Sequence, residues 1–403
     1  MSMVKKKGEE EMFRRLRLFS QNHSFFLFGP RGTDKSTLVR ERFAEEQTLW
    51  LDLLDSKVED QFFRSPGDLY AIVKALPNKI THVIIDEIQK IPKLLDEVHR
   101  LVEETNKSFI LTGSSARKLR HGGANLLAGR AFVYHLYPLS CFELGDKFNL
   151  EEALQWGTLP KIFSLQRNLD KEAFLRSYAD TYLKEEIWNE QVIRKLPPFR
   201  RFLEVAAQCN GKVINYSNIA RDVGVDDKTI KEYFCVLEDT LIGFFLEPYH
   251  HSFRKRLVEK PKFYFFDTGV VRSLSRRLSV PLTPKTAAYG EAFEHYILLE
   301  FVRLSSYFNP DYRLSFIRTS GDVEIDLVVE RPGKHLLCIE IKSTATIAER
   351  DISSFVRLTK DMPDCEAIVL SQDPFMKRFD HVTCYPWQTG LAEYFPDAKA
   401  PPA

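Results

Sequence analysis

The first third of the chain sets short, unbroken apolar runs between longer polar stretches. Phe25–Phe28, Thr48–Leu53, Thr81–Asp86 and Ser108–Thr112 are such runs. At this length and without alternation they predict strands buried on both faces, the condition of a parallel sheet covered by helices. The middle of the chain changes period. Arg200–Ala207 reads as one helix and Asn215–Val225 as a second, with Ser217 as its N-cap and Gly224 at its turn. A third helix starts near Asp227, where Ile230, Phe234 and Leu237 recur at helical spacing and leave Lys228, Thr229, Lys231 and Glu232 facing out. Leu241–Leu246 and Lys262–Phe266 predict a hairpin whose tip carries Arg254, Lys255 and Arg256. In the last third, Val323–Val329 and Leu336–Lys342 predict two strands joined by the turn at Pro332 and Gly333.

The first run leads into phosphate chemistry. Gly29-Pro30-Arg31-Gly32-Thr33-Asp34-Lys35-Ser36-Thr37 meets the P-loop pattern at Gly29, Lys35 and Ser36. In such a loop the backbone N–H groups, here from Gly32 and Thr33 through Thr37, cradle phosphate at a helix N-terminus. Lys35 would neutralise the β- and γ-phosphates and Ser36 would ligate Mg²⁺. ATP and Mg²⁺ are therefore the expected cofactors. Asp34 stands where the pattern has its second glycine, adding a side chain and a negative charge beside the phosphates. The third run delivers Asp86 and Glu87 to the C-terminal end of its strand, where active sites of such sheets lie. Asp86 is expected to hold Mg²⁺ through water and Glu87 to polarise the attacking water.

The strings GPRGTDKSTLVR, VIIDEIQKIP and FILTGSSARKLRHGGANLLAGRAFVYHLYPLS resemble the bacterial and archaeal AAA+ family whose ATPase core is followed by a conserved domain of unknown function. The likeness continues through LEEALQWGTLPKIF, YLKEEIWNEQVIRKLPPFRRFLE, PKFYFFDTGVVRSL and YGEAFEHYILLEF, nearly the whole chain. It implies an ATPase with a helical lid, a winged helix and a C-terminal nuclease-like fold. Members carry glycine where this chain has Asp34. The resemblance also implies that Thr112, Ser114 or Ser115 senses the γ-phosphate, that Arg117, Arg120 or Arg130 reaches a neighbouring subunit, and that copies assemble, as in a hexameric ring. DNA is the expected partner of the winged helix, through Lys228, Lys231, Arg254, Lys255 and Arg256, since such side chains bind phosphates by releasing counterions.

The last third carries a separate constellation. Side chains alternate along a strand, so Glu340 and Lys342 share a face and Asp326 can lie beside them on the neighbouring strand. This order, D-x13-E-x-K, resembles the PD-(D/E)XK nuclease core. There the acids bind Mg²⁺ and the lysine activates water, which makes Asp326, Glu340 and Lys342 catalytic candidates. Glu294, on the helix before these strands, would complete the metal site with Asp326 and Glu340. Oxygen ligands of this kind suit Mg²⁺.

Composition adds limits. With 57 basic and 56 acidic residues the formal net charge is +1, so any DNA surface must be a local patch. No apolar run approaches a membrane span, the N-terminus lacks a signal core, and the six cysteines show no Cys-x-x-Cys spacing. A cytoplasmic location without a membrane partner is expected. The expected fold is α/β: a P-loop AAA+ parallel sheet over residues 1–140, a helical lid over 141–195, a winged helix over 196–275 and a restriction-endonuclease-like α/β domain over 285–395. The function expected is an AAA+ ATPase coupling ATP to DNA binding or remodelling. Two alternatives stand beside it: a metal-dependent nuclease with a regulatory nucleotide site, and a DNA-binding scaffold in which Asp34 has silenced the P-loop.

Overall fold

The computed structural model describes residues 13–115, 127, 129–182, 196–249, 260–319, 323–362 and 364–399. Arg117, Arg120, Arg254, Lys255 and Arg256 lie outside them. The first four apolar runs are strands β1 (Phe25–Phe28), β2 (Thr48–Asp52), β3 (His82–Asp86) and β4 (Ser108–Gly113). A fifth, β5 (Phe132–His135), was not among the expected strands. All pair parallel in the order β2-β3-β4-β1-β5. The unbroken apolar runs have a simple cause. Phe26, Phe28, Val83, Ile85, Phe109 and Leu111 enter one core, while Phe25, Leu27, Ile84 and Ile110 enter the core on the opposite face. Edge strand β5 is covered less, with Phe132 and Val133 exposed.

Three helices follow in the middle of the chain, Leu196–Gln208, Tyr216–Val223 and Asp227–Asp239. Phe199, Phe202, Ile219, Val223, Ile230, Phe234 and Leu237 close their shared core. One expected detail is corrected. Asn215, not Ser217, caps the second helix by accepting from the Asn218 N–H at 3.2 Å. Ser217 lies inside the helix and its hydroxyl donates to Asp227 at 2.6 Å, across the turn that Gly224 makes at φ 80°. Such a short polar side chain competes well for either role.

Strands β6 (Gly243–Pro248) and β7 (Lys262–Phe265) form the expected antiparallel hairpin, but they do not stand apart. β6 also pairs in parallel with β8 (Arg313–Arg318), through Glu247 opposite Ser315 and Pro248 opposite Phe316. The hairpin thereby extends the C-terminal sheet, which continues through β9 (Glu324–Glu330), β10 (Leu336–Lys342), β11 (Cys365–Ser371), β12 (Lys377–Phe379) and β13 (Val382–Pro386). Its order is β12-β13-β11-β10-β9-β8-β6-β7. The helix Ala287–Phe308 lies on this sheet, burying Phe293, Tyr296, Ile297 and Leu304 against Leu327, Leu337, Ile339 and Leu370. Its other contacts reach the part of the chain that follows β5: the fully buried Arg303 pairs with Glu300 at 2.9 Å and donates to the Leu139 carbonyl at 2.9 Å. Among the described residues no helix is long and apolar enough to cross a membrane.

Candidate functional site

The loop between β1 and the helix Lys35–Arg42 is built by close backbone approach. A Cβ on Gly29 would stand 2.2 Å from the Leu136 carbonyl oxygen, so only glycine fits there. Gly32 has φ +78°. Asp34 takes the left-handed conformation, φ 62° and ψ 36°, and is exposed. The pattern's glycine is therefore a conformational requirement here, and aspartate is among the few other residues that meet it at modest cost. Thr33 is buried, its hydroxyl donating to the Pro30 carbonyl at 2.9 Å. The buried Lys35 ammonium donates to the carbonyls of Gly29 at 2.8 Å and Pro30 at 3.2 Å. Thr37 is exposed on the first turn of the helix.

Replacing Asp34 with glycine keeps this backbone and removes a carboxylate from the phosphate cradle. Asp34→Gly is expected to tighten ATP binding several-fold, about 1 kcal/mol, in a titration with a fluorescent ATP analogue. An unchanged dissociation constant would mean that solvent screens the carboxylate completely.

Of the two acids expected beside the loop, Asp86 meets it. Asp86 is buried, accepting from the Ser36 hydroxyl at 2.6 Å through Oδ2 and from the Thr112 hydroxyl through Oδ1. Ser36, Asp86 and Thr112 form an all-oxygen donor set of the kind Mg²⁺ takes. Glu87 follows at φ 60°, ψ 46°, so the chain leaves β3 sharply there. The buried Gln89, which no motif singles out, donates through Nε2 to the Glu87 carboxylate and, at 2.9 Å, to the Ser114 hydroxyl. Gln89 thus links Ser114 to Glu87. Arg130, by contrast, is part-exposed and pairs with Glu103 on the helix Leu94–Glu104.

Three other contacts reach the site from distant sequence. The buried Arg15 donates to the Thr33 carbonyl at 2.9 Å and pairs with Glu143 at 3.0 Å. The Tyr178 hydroxyl donates to the Arg31 carbonyl at 2.8 Å. Ser115, at the tip of β4, donates to the Asp239 carbonyl at 3.3 Å, at the end of the helix Asp227–Asp239. On that helix Lys228 and Lys231 are exposed, and the Lys231 ammonium lies 5.3 Å from the Tyr216 ring centroid.

In the C-terminal sheet the expected order of residues also becomes adjacency. Asp326 accepts from the Ile341 N–H at 2.7 Å, across the pairing of β9 with β10, and Glu340 pairs with Lys342 at 2.6 Å. Burial, with the charges of Glu294 and Glu340, pushes the Asp326 carboxyl well above the usual carboxylate range. Glu340 is buried, and its Oε2 has no hydrogen-bond partner. Glu294 is engaged elsewhere: it accepts from the Tyr264 hydroxyl at 2.8 Å and lies 3.7 Å from the Lys262 ammonium. The charges of Glu294 and Glu340 nonetheless act on Asp326, so the three expected acids stand in one neighbourhood. Among the described residues no group of three His, Cys, Asp or Glu side chains could hold a metal ion.

Three family models match the chain in succession: an AAA domain over residues 21–145, a domain of unknown function, DUF8612, over 147–280, and a domain of unknown function, DUF4143, over 289–389. Uncharacterized proteins of Mycobacterium tuberculosis and Mycobacterium bovis are each 30% identical over 327 residues, 79% of this chain and 70% of theirs. An uncharacterized protein of Haemophilus influenzae is 23% identical over 302 residues, 68% of this chain and 73% of its own. Among solved structures, Aeropyrum pernix ORC1 in complex with DNA matches with 12% identity and a TM-score of 0.31, covering 63% of this chain and 86% of that one.

Proposed function

Since the chain belongs to the family of the Mycobacterium tuberculosis protein and carries an AAA domain ahead of two domains of unknown function, we propose that it is an AAA+ ATPase that couples ATP binding and hydrolysis to the binding or remodelling of DNA. The observation that carries the nucleotide half is the hydrogen-bonded set Ser36, Asp86 and Thr112 beside the P-loop, with Glu87 tied to Ser114 through Gln89. In this reading Lys35 leaves the loop carbonyls for the phosphates and neutralises them. Glu87 orients the attacking water and accepts its proton, and Ser114 registers the loss of the γ-phosphate. Mg²⁺, held by Ser36 and Asp86, would supply charge stabilisation on the β- and γ-phosphate oxygens. Ser115 and Tyr178 would carry the change into the middle of the chain, where the three helices and the hairpin support a winged-helix reading.

DNA contact in this proposal falls to the exposed Lys228 and Lys231 and to the hairpin tip Arg254, Lys255 and Arg256. The nuclease-like C-terminal sheet, where Asp326, Glu340 and Lys342 are adjacent, enters as a second surface that binds or cuts DNA. Assembly of copies into a ring, hexameric as in the resembled family, belongs to the same reading. ATP turnover measured with and without duplex and single-stranded DNA tests it. Turnover is expected to rise with DNA, and Lys228→Ala with Lys231→Ala to remove the rise while leaving the basal rate. A rate indifferent to every DNA would remove DNA from the proposal; no turnover, regained in Asp34→Gly, would leave a silenced site.

A further inference from the structure

The carboxylates on the C-terminal sheet are met by a cation from outside their own segment. Lys262 opens β7, within residues 147–280, whereas Glu294, Glu324, Asp326 and Glu340 belong to 289–389. Its side chain is only 4% exposed; it crosses the Phe316 ring, with the ammonium 5.1 Å from the centroid, and ion-pairs with Glu324 while lying 3.7 Å from Glu294. Tyr264, two residues on and therefore on the same face of β7, fixes Glu294 with its hydroxyl at 2.8 Å. These groups line a cavity of about 240 Å³ with Lys212 and Arg318.

A buried ammonium is expensive unless paired, so Lys262 requires the part-exposed Glu294 and Glu324 that it meets. A divalent ion would compete for the oxygens the lysine already holds. We propose that Lys262 is the resident cation of this pocket, standing between Glu294 and Glu324 beside the acids Asp326 and Glu340, and fastening the middle of the chain to its C-terminal sheet. The inference goes beyond the ATPase reading and uses no nucleotide.

The test is Mn²⁺ titration of the full chain by calorimetry, in an Asp86→Asn background that removes the β3 carboxylate beside Ser36. Lys262→Met is expected to gain one equivalent of bound Mn²⁺ that the parent lacks, and to lose it again when Glu324→Gln is added. Mn²⁺ bound by the parent and lost on Glu294→Gln would overturn the proposal, as would a folded Lys262→Met that gains nothing. A second measurement needs no variant at this pocket: reductive methylation of the unaltered chain, read by mass spectrometry with and without Mn²⁺. Lys262 is expected to stay unmodified under both conditions while the exposed Lys212 and Lys228 react. Methylation of Lys262 at their rate, or its appearance on adding Mn²⁺, would sink the idea even if Lys262→Met failed to fold.

Discussion

Glu87→Gln is expected to hold ATP about as well as the unaltered chain and to turn it over at least about a hundredfold more slowly, the usual scale for losing a positioned general base. Lys35→Ala is expected to fail earlier, at binding. The difference follows from where the two side chains stand. In the proposed reading Lys35 belongs to the loop that would receive the phosphates, and its ammonium donates to two loop carbonyls at 2.8 and 3.2 Å that it would exchange for phosphate oxygens. Glu87 lies beyond Asp86, where a left-handed residue swings the chain off β3, and its carboxylate is held by Gln89 rather than by the loop. The amide that replaces it can still hydrogen-bond to Gln89 but cannot take a proton from water. Steady-state turnover together with equilibrium binding of an ATP analogue separates the two failures. Full turnover in Glu87→Gln would move the hydrolytic base elsewhere.

The largest loss of stability is expected at Arg303. Its guanidinium and the Glu300 carboxylate are 1% and 0% exposed and 2.9 Å apart. Glu300 also accepts from the Cys141 N–H at 3.2 Å, and Arg303 donates to the Leu139 carbonyl. Burial alone pushes the Glu300 carboxyl up, and Arg303 opposes that shift. Arg303→Met therefore strands a buried carboxylate, at a cost of about 3–5 kcal/mol. Removing both charges in Glu300→Gln with Arg303→Met is expected to recover most of it, because the uncompensated charge is the costly part. Urea unfolding of the two variants checks this. Equal destabilisation by both would mean that lost packing, not charge, sets the cost.

What could be read from the residues was local in sequence. β1, β3 and β4 announce themselves because both faces are buried and every position must be apolar, and Asp86 and Glu87 follow at the end of such a run. The adjacency of Asp326, Glu340 and Lys342 was legible because strand alternation fixes it within two neighbouring strands. β5 was not read although Phe132-Val133-Tyr134 is apolar: it is a four-residue edge strand, too short for its pattern to stand out, and Phe132 and Val133 are exposed. Nor was the reach of Arg15 and Tyr178 to the loop, since each bonds to a backbone carbonyl, and any residue supplies one. Lys262 read as an ordinary first residue of a hairpin strand. Its partners lie 32 and 62 positions away, a distance that no local pattern encodes.

The pairing of β6 with β8 bears on how such a chain can be divided. Pro281 and Pro284 look like a natural seam, yet a fragment ending there would carry the hairpin away and bare the edge of β8, while the hairpin would lose the strand beside it. Exposed edges of that kind invite pairing with other chains. Shuffling or truncating genes at this point would therefore yield sticky halves, and the middle and C-terminal segments are expected to be inherited, expressed and engineered together as one indivisible piece.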